Sequence, residues 1–159
     1  MTWIFLALLL GSSCSQAISK AASKKVPDFS LPALTGGPSV AFSEVNKENP
    51  VLLIFWATWC PSCIEEVPQL NEIQKKFSGR GLKIIAVDVQ ESKKEILDFQ
   101  KKQPMNYPVL LDEEGAVAEK MGLEGIPVAI LAEPGGNVLY FGFSIPENLE
   151  TLLQTKGKA

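Results

Sequence analysis

The sequence predicts an α/β fold with a mixed central sheet flanked by helices, and three observations carry that expectation. Residues 51–56, VLLIFW, form a continuous apolar run after Asn49 and Pro50, the pattern of a strand buried on both faces. Residues 60–77 place Ile64, Val67, Leu70, Ile73 and Phe77 three or four positions apart, the stripe of an amphipathic helix. Residues 128–131 and 138–143 are apolar runs separated by EPGGN, a cluster of turn formers that reads as the bend of a hairpin.

The remaining elements follow in order. The first helix ends at Ser78-Gly79, and KIIAVDV within 82–89 reads as a second buried strand. Residues 93–102 are a helix with Ile96, Leu97 and Phe99 on its apolar side, stopping before Pro104. A short strand spans 107–111 with Pro108 near its start, and 116–121 makes one or two helical turns before Gly122. A helix over 146–154 closes the chain. Strand, helix and strand followed by a hairpin and a helix is an α/β arrangement. No internal repeat or domain linker interrupts it.

Composition removes several function classes. Of 159 residues, 46% are hydrophobic and 21% charged, the profile of a folded globular chain. Fifteen Lys and Arg against 18 Asp and Glu give a formal charge of −3. Nucleic acid is therefore not an expected partner, because a phosphate backbone is bound by clustered positive charge. The local pairs Lys24-Lys25, Lys75-Lys76, Lys93-Lys94 and Lys101-Lys102 are set among apolar or acidic residues and read as solvated faces. The chain has no histidine, which removes Ser-His-Asp and Cys-His catalysis, imidazole-ligated zinc and His-ligated haem. Chemistry must run on Cys, carboxylates, Lys, Tyr or backbone groups.

The N-terminus reads as an address. Residues 3–10 are eight consecutive apolar residues followed by Gly11-Ser12-Ser13-Cys14. A membrane span needs roughly 20, so the run has instead the length of a secretory signal core. The preceding Met1-Thr2 lacks the usual basic residue. LLLGSSC resembles a bacterial lipobox, whose cysteine becomes a lipid-modified first residue. It departs from that pattern in having Gly11 three before Cys14, where Leu is usual. Lipidation at Cys14, and cleavage without lipid near a small residue such as Ala17, are the two leading readings; a buried N-terminal helix is the third. Either leading reading makes the protein exported, with residues 1–25 as leader and tether and 26–159 as the folded domain.

The chemistry-bearing stretch is WATWCPSCIEE at 56–66, at the junction of the first strand and helix. A cysteine in the first turn of a helix faces unpaired backbone N–H groups and the positive end of the dipole. Both favour thiolate, the nucleophilic form. Cys63 lies about one turn on, on the same face, where it can close a disulfide with Cys60. Pro61 suits the first turn because its missing N–H costs nothing there. So short a loop stores little closure entropy, so the disulfide would staple almost nothing. A closed zinc site would want further Cys or His ligands, which only a dimer could pool. A redox pair is the reading best supported by the residues.

The run FWATWCPSC at 55–63 resembles the active-site signature of thioredoxin-fold proteins. Together with IEEVPQL at 64–70, VLLD at 109–112 and GIP at 125–127, it resembles the TlpA/ResA group of exported thiol–disulfide oxidoreductases. The resemblance covers nearly everything from Pro27 onward. It implies a thioredoxin-like fold with an N-terminal extension and a segment inserted around 89–110. It further implies Cys60 as the attacking and Cys63 as the resolving cysteine. Ile126-Pro127 matches the family's cis-proline site beside the pair, followed here by Val128 where Thr is common. Glu66 matches a glutamate kept near the cysteines, and Ile54 stands where cytosolic thioredoxins bury an aspartate. A carboxylate one turn from Cys63 can take its proton if partial burial raises its pKa; the plainer reading makes Glu65 and Glu66 dipole-serving acids. Trp56 is expected in the core, and Trp59, with Pro61, Ile126 and Pro127, at the substrate rim.

The resemblance thus implies reduction of disulfides in envelope proteins without a cofactor, apocytochrome c thiols being one substrate class. The pair would be recharged by a membrane thiol–disulfide reductant. Two other readings stay open. A peroxiredoxin would share the fold and an opening like PDFS at 27–30, but needs Thr three residues before its cysteine, where this chain has Ala57. A non-catalytic binding module would keep the fold and not need the cysteines.

Overall fold

A computed structural model describes residues 25–154; the leader and tether readings and Cys14 lie outside the described residues. The chain runs β1 (Ser30–Leu31), β2 (Val40–Ala41), α1 (Phe42–Val45), β3 (Val51–Trp56), α2 (Pro61–Phe77), β4 (Lys83–Val89) and α3 (Lys93–Gln100). It continues through β5 (Val109–Asp112), α4 (Ala116–Lys120), β6 (Val128–Ala132), β7 (Val138–Gly142) and α5 (Leu149–Gln154). Five strands make one sheet in the order β5-β4-β3-β6-β7. β3, β4 and β5 are parallel, whereas β6 and β7 are antiparallel to their neighbours. This is the mixed α/β sheet expected.

The alternation of side chains along β3 divides the core. Leu52, Ile54 and Trp56 enter one buried cluster with Cys60, Cys63, Leu70 and Ile96. Val51, Leu53 and Phe55 enter a second cluster on the other face with Phe29, Phe42 and Val117. A strand at the centre of a sheet buries both rows, which is why its sequence is apolar without interruption. The N-terminal extension covers an edge: Leu34 N–H donates to Val109 C=O and Leu111 N–H to Pro32 C=O, so residues 32–34 run along β5. Covering an edge strand this way removes a row of unpaired backbone groups.

Several boundaries differ from expectation. The first helix ends at Phe77 as expected, but Ser78 and Gly79 run on into a tight turn, Ser78–Arg80, and the chain reverses at Gly81, whose φ of 88° is left-handed. The closing helix starts at Leu149 rather than 146. In α3 Ile96 is fully buried and Phe99 packs at a tilt against Trp56, but Leu97 points outward at 39% exposed. A helix this short and polar has a narrow inner stripe, which the residue beside Ile96 does not share. β1 and β2, at two residues each, carry no periodic signal and were not expected.

Candidate active site

The site sits where the parallel strands end. β3 delivers the chain into a tight turn in which Cys60 N–H donates to Ala57 C=O, and Cys60 then caps α2. Its sulfur accepts from the Cys63 N–H at 3.3 Å, and Pro61 occupies the first helical position, where no amide is needed. Cys60 and Cys63 form a disulfide, with Cα atoms 5.3 Å apart. Both are buried, at 4% and 3% exposed. Reduction would leave Cys60 Sγ facing that same amide and the positive end of a 17-residue helix, both of which favour thiolate.

A second proline, Pro68, lies inside α2 and cannot donate to the Ile64 carbonyl one turn earlier. Gln103, from the segment after α3, supplies the missing donor through its Nε2 at 3.0 Å. Asn71 holds the same segment by bonds to Pro104 C=O and Asn106 N–H. The helix that carries the cysteines is thus tied to the inserted segment where its own ladder is broken.

Glu66 sits three residues beyond Cys63, half-buried. Its Oε1 accepts from Ile145 N–H at 3.1 Å, and its Oε2 is buried without a partner among the described residues. Burial raises its pKa, partly offset by the Ile145 bond. Neither it nor Glu65 is in the first turn of the helix. Ile54, 2% exposed, fills the position beneath the pair with hydrocarbon. Tyr107 has a buried hydroxyl with no partner among the described residues, and its pKa is raised by burial first and by the charge of Glu66 second.

The remaining expected residues form the rim. Trp59 is 65% exposed, whereas Trp56 is 2% exposed in the core. The Ile126-Pro127 peptide bond is cis. β3 and β6 pair Phe55 with Val128, which sets Pro127 at the end of the sheet from which the cysteine turn emerges. A groove lined by Trp59, Gln90, Leu123, Gly125 and Ile126 adjoins this rim.

Three residues near the site were not foreseen. Glu91, 8% exposed, accepts from both the amide and the hydroxyl of Thr58, in the turn before Cys60. Asp88 is wholly buried on β4, beside Trp56 in register, and neither carboxyl oxygen has a hydrogen-bond partner among the described residues. Tyr107 is the third. An aspartate inside KIIAVDV was the one available signal, since a charged residue in a doubly buried strand is rare unless paired. Nothing in the sequence links Glu91 to Thr58.

The fold and the pair agree with known proteins. The model of the AhpC/TSA family matches residues 22–141. The thiol-disulfide oxidoreductase ResA of Bacillus thuringiensis subsp. konkukian is 31% identical over 133 residues, covering 82% of this chain and 76% of that protein. ResA of Bacillus subtilis is 35% identical over 113 residues, 71% of this chain and 62% of that protein. A solved structure from Chlorobium tepidum, described as a thiol:disulfide interchange protein DsbE, superposes with a TM-score of 0.75 at 29% identity, covering 83% of this chain and 94% of that one. With these relatives and the Cys60–Cys63 disulfide, the chain belongs to the AhpC/TSA family of the thioredoxin superfamily and is a protein-disulfide oxidoreductase of the ResA type.

Proposed function

We propose that the protein is exported and reduces disulfides in envelope proteins, with Cys60 as nucleophile, Cys63 as resolving thiol and Glu66 as proton acceptor. The observation that carries this reading is the disulfide at the N-terminus of α2 with a half-buried carboxyl one turn behind it. In the reduced protein the Cys60 thiolate attacks one sulfur of a substrate disulfide. An S–S bond forms between Cys60 and the substrate, and the other substrate sulfur leaves as thiolate. Cys63 then gives its proton to Glu66 and attacks Cys60 Sγ, expelling the second substrate sulfur. The substrate gains two electrons and the protein ends as its disulfide. A raised pKa supports Glu66 in this role, because a carboxylate of higher basicity is a better match for a thiol proton.

Trp59, Pro61, Ile126 and Pro127 would form the rim against which the substrate chain docks. In an oxidising compartment the pair needs a membrane thiol–disulfide reductant to recharge it, and apocytochrome c thiols are one fitting substrate class. The signal-like segment at 3–10 supports export of a domain spanning 26–159, with Cys14 as the candidate lipid anchor. Among the described residues no helix is long and apolar enough to cross a membrane.

The test is Cys63→Ala in the native envelope. It removes the resolving step, so mixed disulfides through Cys60 should accumulate and disappear on adding dithiothreitol. Absence of trapped partners, with activity retained in Cys60→Ala, would sink the exchange reading. Rapid peroxide consumption would instead support a peroxidase.

A further inference from the structure

The loop after β4 is built toward the cysteine turn. Gln90 adopts φ 62°, left-handed backbone that a non-glycine residue rarely takes and that clusters at functional sites. Its amide is anchored to Asp112 C=O at 3.0 Å. The bend directs the next residue, Glu91, back across the end of β3. There one carboxyl oxygen takes the Thr58 amide and the other the Thr58 hydroxyl. Two bonds to one residue fix a turn's orientation as well as its position. Ala57, wholly buried, closes the same turn through its carbonyl to Cys60 N–H. Glu91 is therefore joined to the nucleophile through two residues of backbone and one hydrogen bond.

Behind Glu91 lies Asp88. It shares the sheet face of Trp56, Cys60 and Cys63, between Trp56 on β3 and Leu111 on β5 in register. The charged groups that bear on it are Glu91 in the loop and Glu95 in the first turn of α3. Resting on the reading of Cys60 as nucleophile, we propose that Glu91 is a positioning residue for that cysteine: it clamps Thr58 and so holds the turn that presents the sulfur, with the buried Asp88 carboxyl as its neighbour. Burial first, and then the closeness of Glu91, push the Asp88 pKa up to about 9. At neutral pH Asp88 therefore keeps its proton. Losing it would set a second negative charge beside Glu91 and loosen the clamp.

The experiment uses the reduced full chain and measures two things against pH: the rate of disulfide reduction on a peptide disulfide, and alkylation of Cys60 by iodoacetamide. Glu91→Ala should slow reduction about tenfold, the scale of losing charge-assisted hydrogen bonds. Glu91→Gln should recover to within about threefold, since its amide oxygen can accept from the Thr58 N–H while its NH2 donates to the hydroxyl. Thr58→Val should cost less than Glu91→Ala, and adding it to Glu91→Ala should cost almost nothing more. The wild-type rate should turn down as pH passes about 9, and Asp88→Asn should remove that downturn. If Glu91→Ala melts in place of slowing, Thr58→Val and Glu91→Gln carry the test in folded protein. Wild-type rates and Cys60 titration in all folded Glu91 and Thr58 variants would overturn the proposal. Cys60→Ser separates the two readings: if it abolishes reduction while the clamp variants do nothing, only the clamp is wrong.

Discussion

Asp88 and Asp112 are buried aspartates at the same end of neighbouring strands, and they live in opposite electrostatic surroundings. β4 and β5 pair Asp88 with Leu111 and Val89 with Asp112, so the two carboxyls point to opposite faces of the sheet. Asp112, 3% exposed, accepts from Val117 N–H and from Ala118 N–H at 2.9 Å. It satisfies amides that α4 cannot pair for itself. Asp88, with no exposure at all, has no hydrogen-bond partner among the described residues; burial and the two acids Glu91 and Glu95 outweigh the small pull of the nearby Glu91 amide. Residue type and burial are shared; the supply of backbone amides differs. The face with donors holds its carboxyl as a structural cap. The face without them, which carries the cysteines, keeps its carboxyl protonated.

Removing the satisfied carboxyl should have the largest effect on folding. Asp112→Ala strands the Val117 and Ala118 amides, at a cost of about 3 kcal/mol in unfolding free energy. Chemical denaturation reads that directly. The pH dependence of Cys60 alkylation in the same variant should stay as in wild type. A changed Cys60 titration would mean that the two faces are not independent and would break the comparison.

Removing the unsatisfied carboxyl should act through pH. Asp88 folded titrates near 9 and unfolded near 3.8. Between those values the native state holds a proton that the unfolded state has released, so wild-type stability falls as pH rises through that interval. Asp88→Asn does not titrate. The stability difference between variant and wild type should therefore move in the variant's favour from pH 4 to pH 9, by up to about 1.4 kcal/mol per pH unit, then level off. The slope is the readout, because a buried amide brings its own unmet donors. Parallel curves would show that Asp88 is ionised in the fold.

Glu66 lies between these cases, with one oxygen bonded and one not. Its pKa is raised, so the resolving step should accelerate as pH climbs through that raised value and Glu66 becomes able to accept a proton. Glu66→Gln should flatten the profile and slow release of the mixed disulfide about a hundredfold at neutral pH. The rate of its formation by Cys60 should change much less. Stopped-flow separation of the two steps decides it, and equal slowing of both would remove Glu66 from proton transfer.

The same contrast explains how much could be read in advance. β3 was legible to the residue, because a doubly buried strand writes itself as unbroken hydrocarbon. Cys60, Cys63 and the start of α2 were legible because strand end, proline and helical period coincide at one point. The cis peptide at Ile126-Pro127 was anticipated only by resemblance. The clamp on Thr58 was not legible, since Glu91 is 33 residues away and its direction depends on the left-handed backbone at Gln90. Nor could Asp88 be told from Asp112. Both lie within a residue of the end of an apolar strand, and the donors that separate them come from the register and from where α4 begins.

Trp59 tests the rim with the smallest expected effect. It is 65% exposed beside a buried disulfide, so its ring is available to a docking chain and contributes little to the core. Trp59→Ala should leave the unfolding transition within about 0.5 kcal/mol of wild type, as surface changes usually do. If the ring packs on the substrate equally before and during attack, KM for a protein disulfide should rise several-fold with kcat nearly unchanged. For a small disulfide that cannot reach the groove, neither should move. The difference between those two substrates measures docking alone, because Cys60, Cys63 and both aspartates are the same in each assay. A matching loss with the small disulfide would place Trp59 with Thr58 and Glu91, as part of what holds the cysteine turn, and not with the rim.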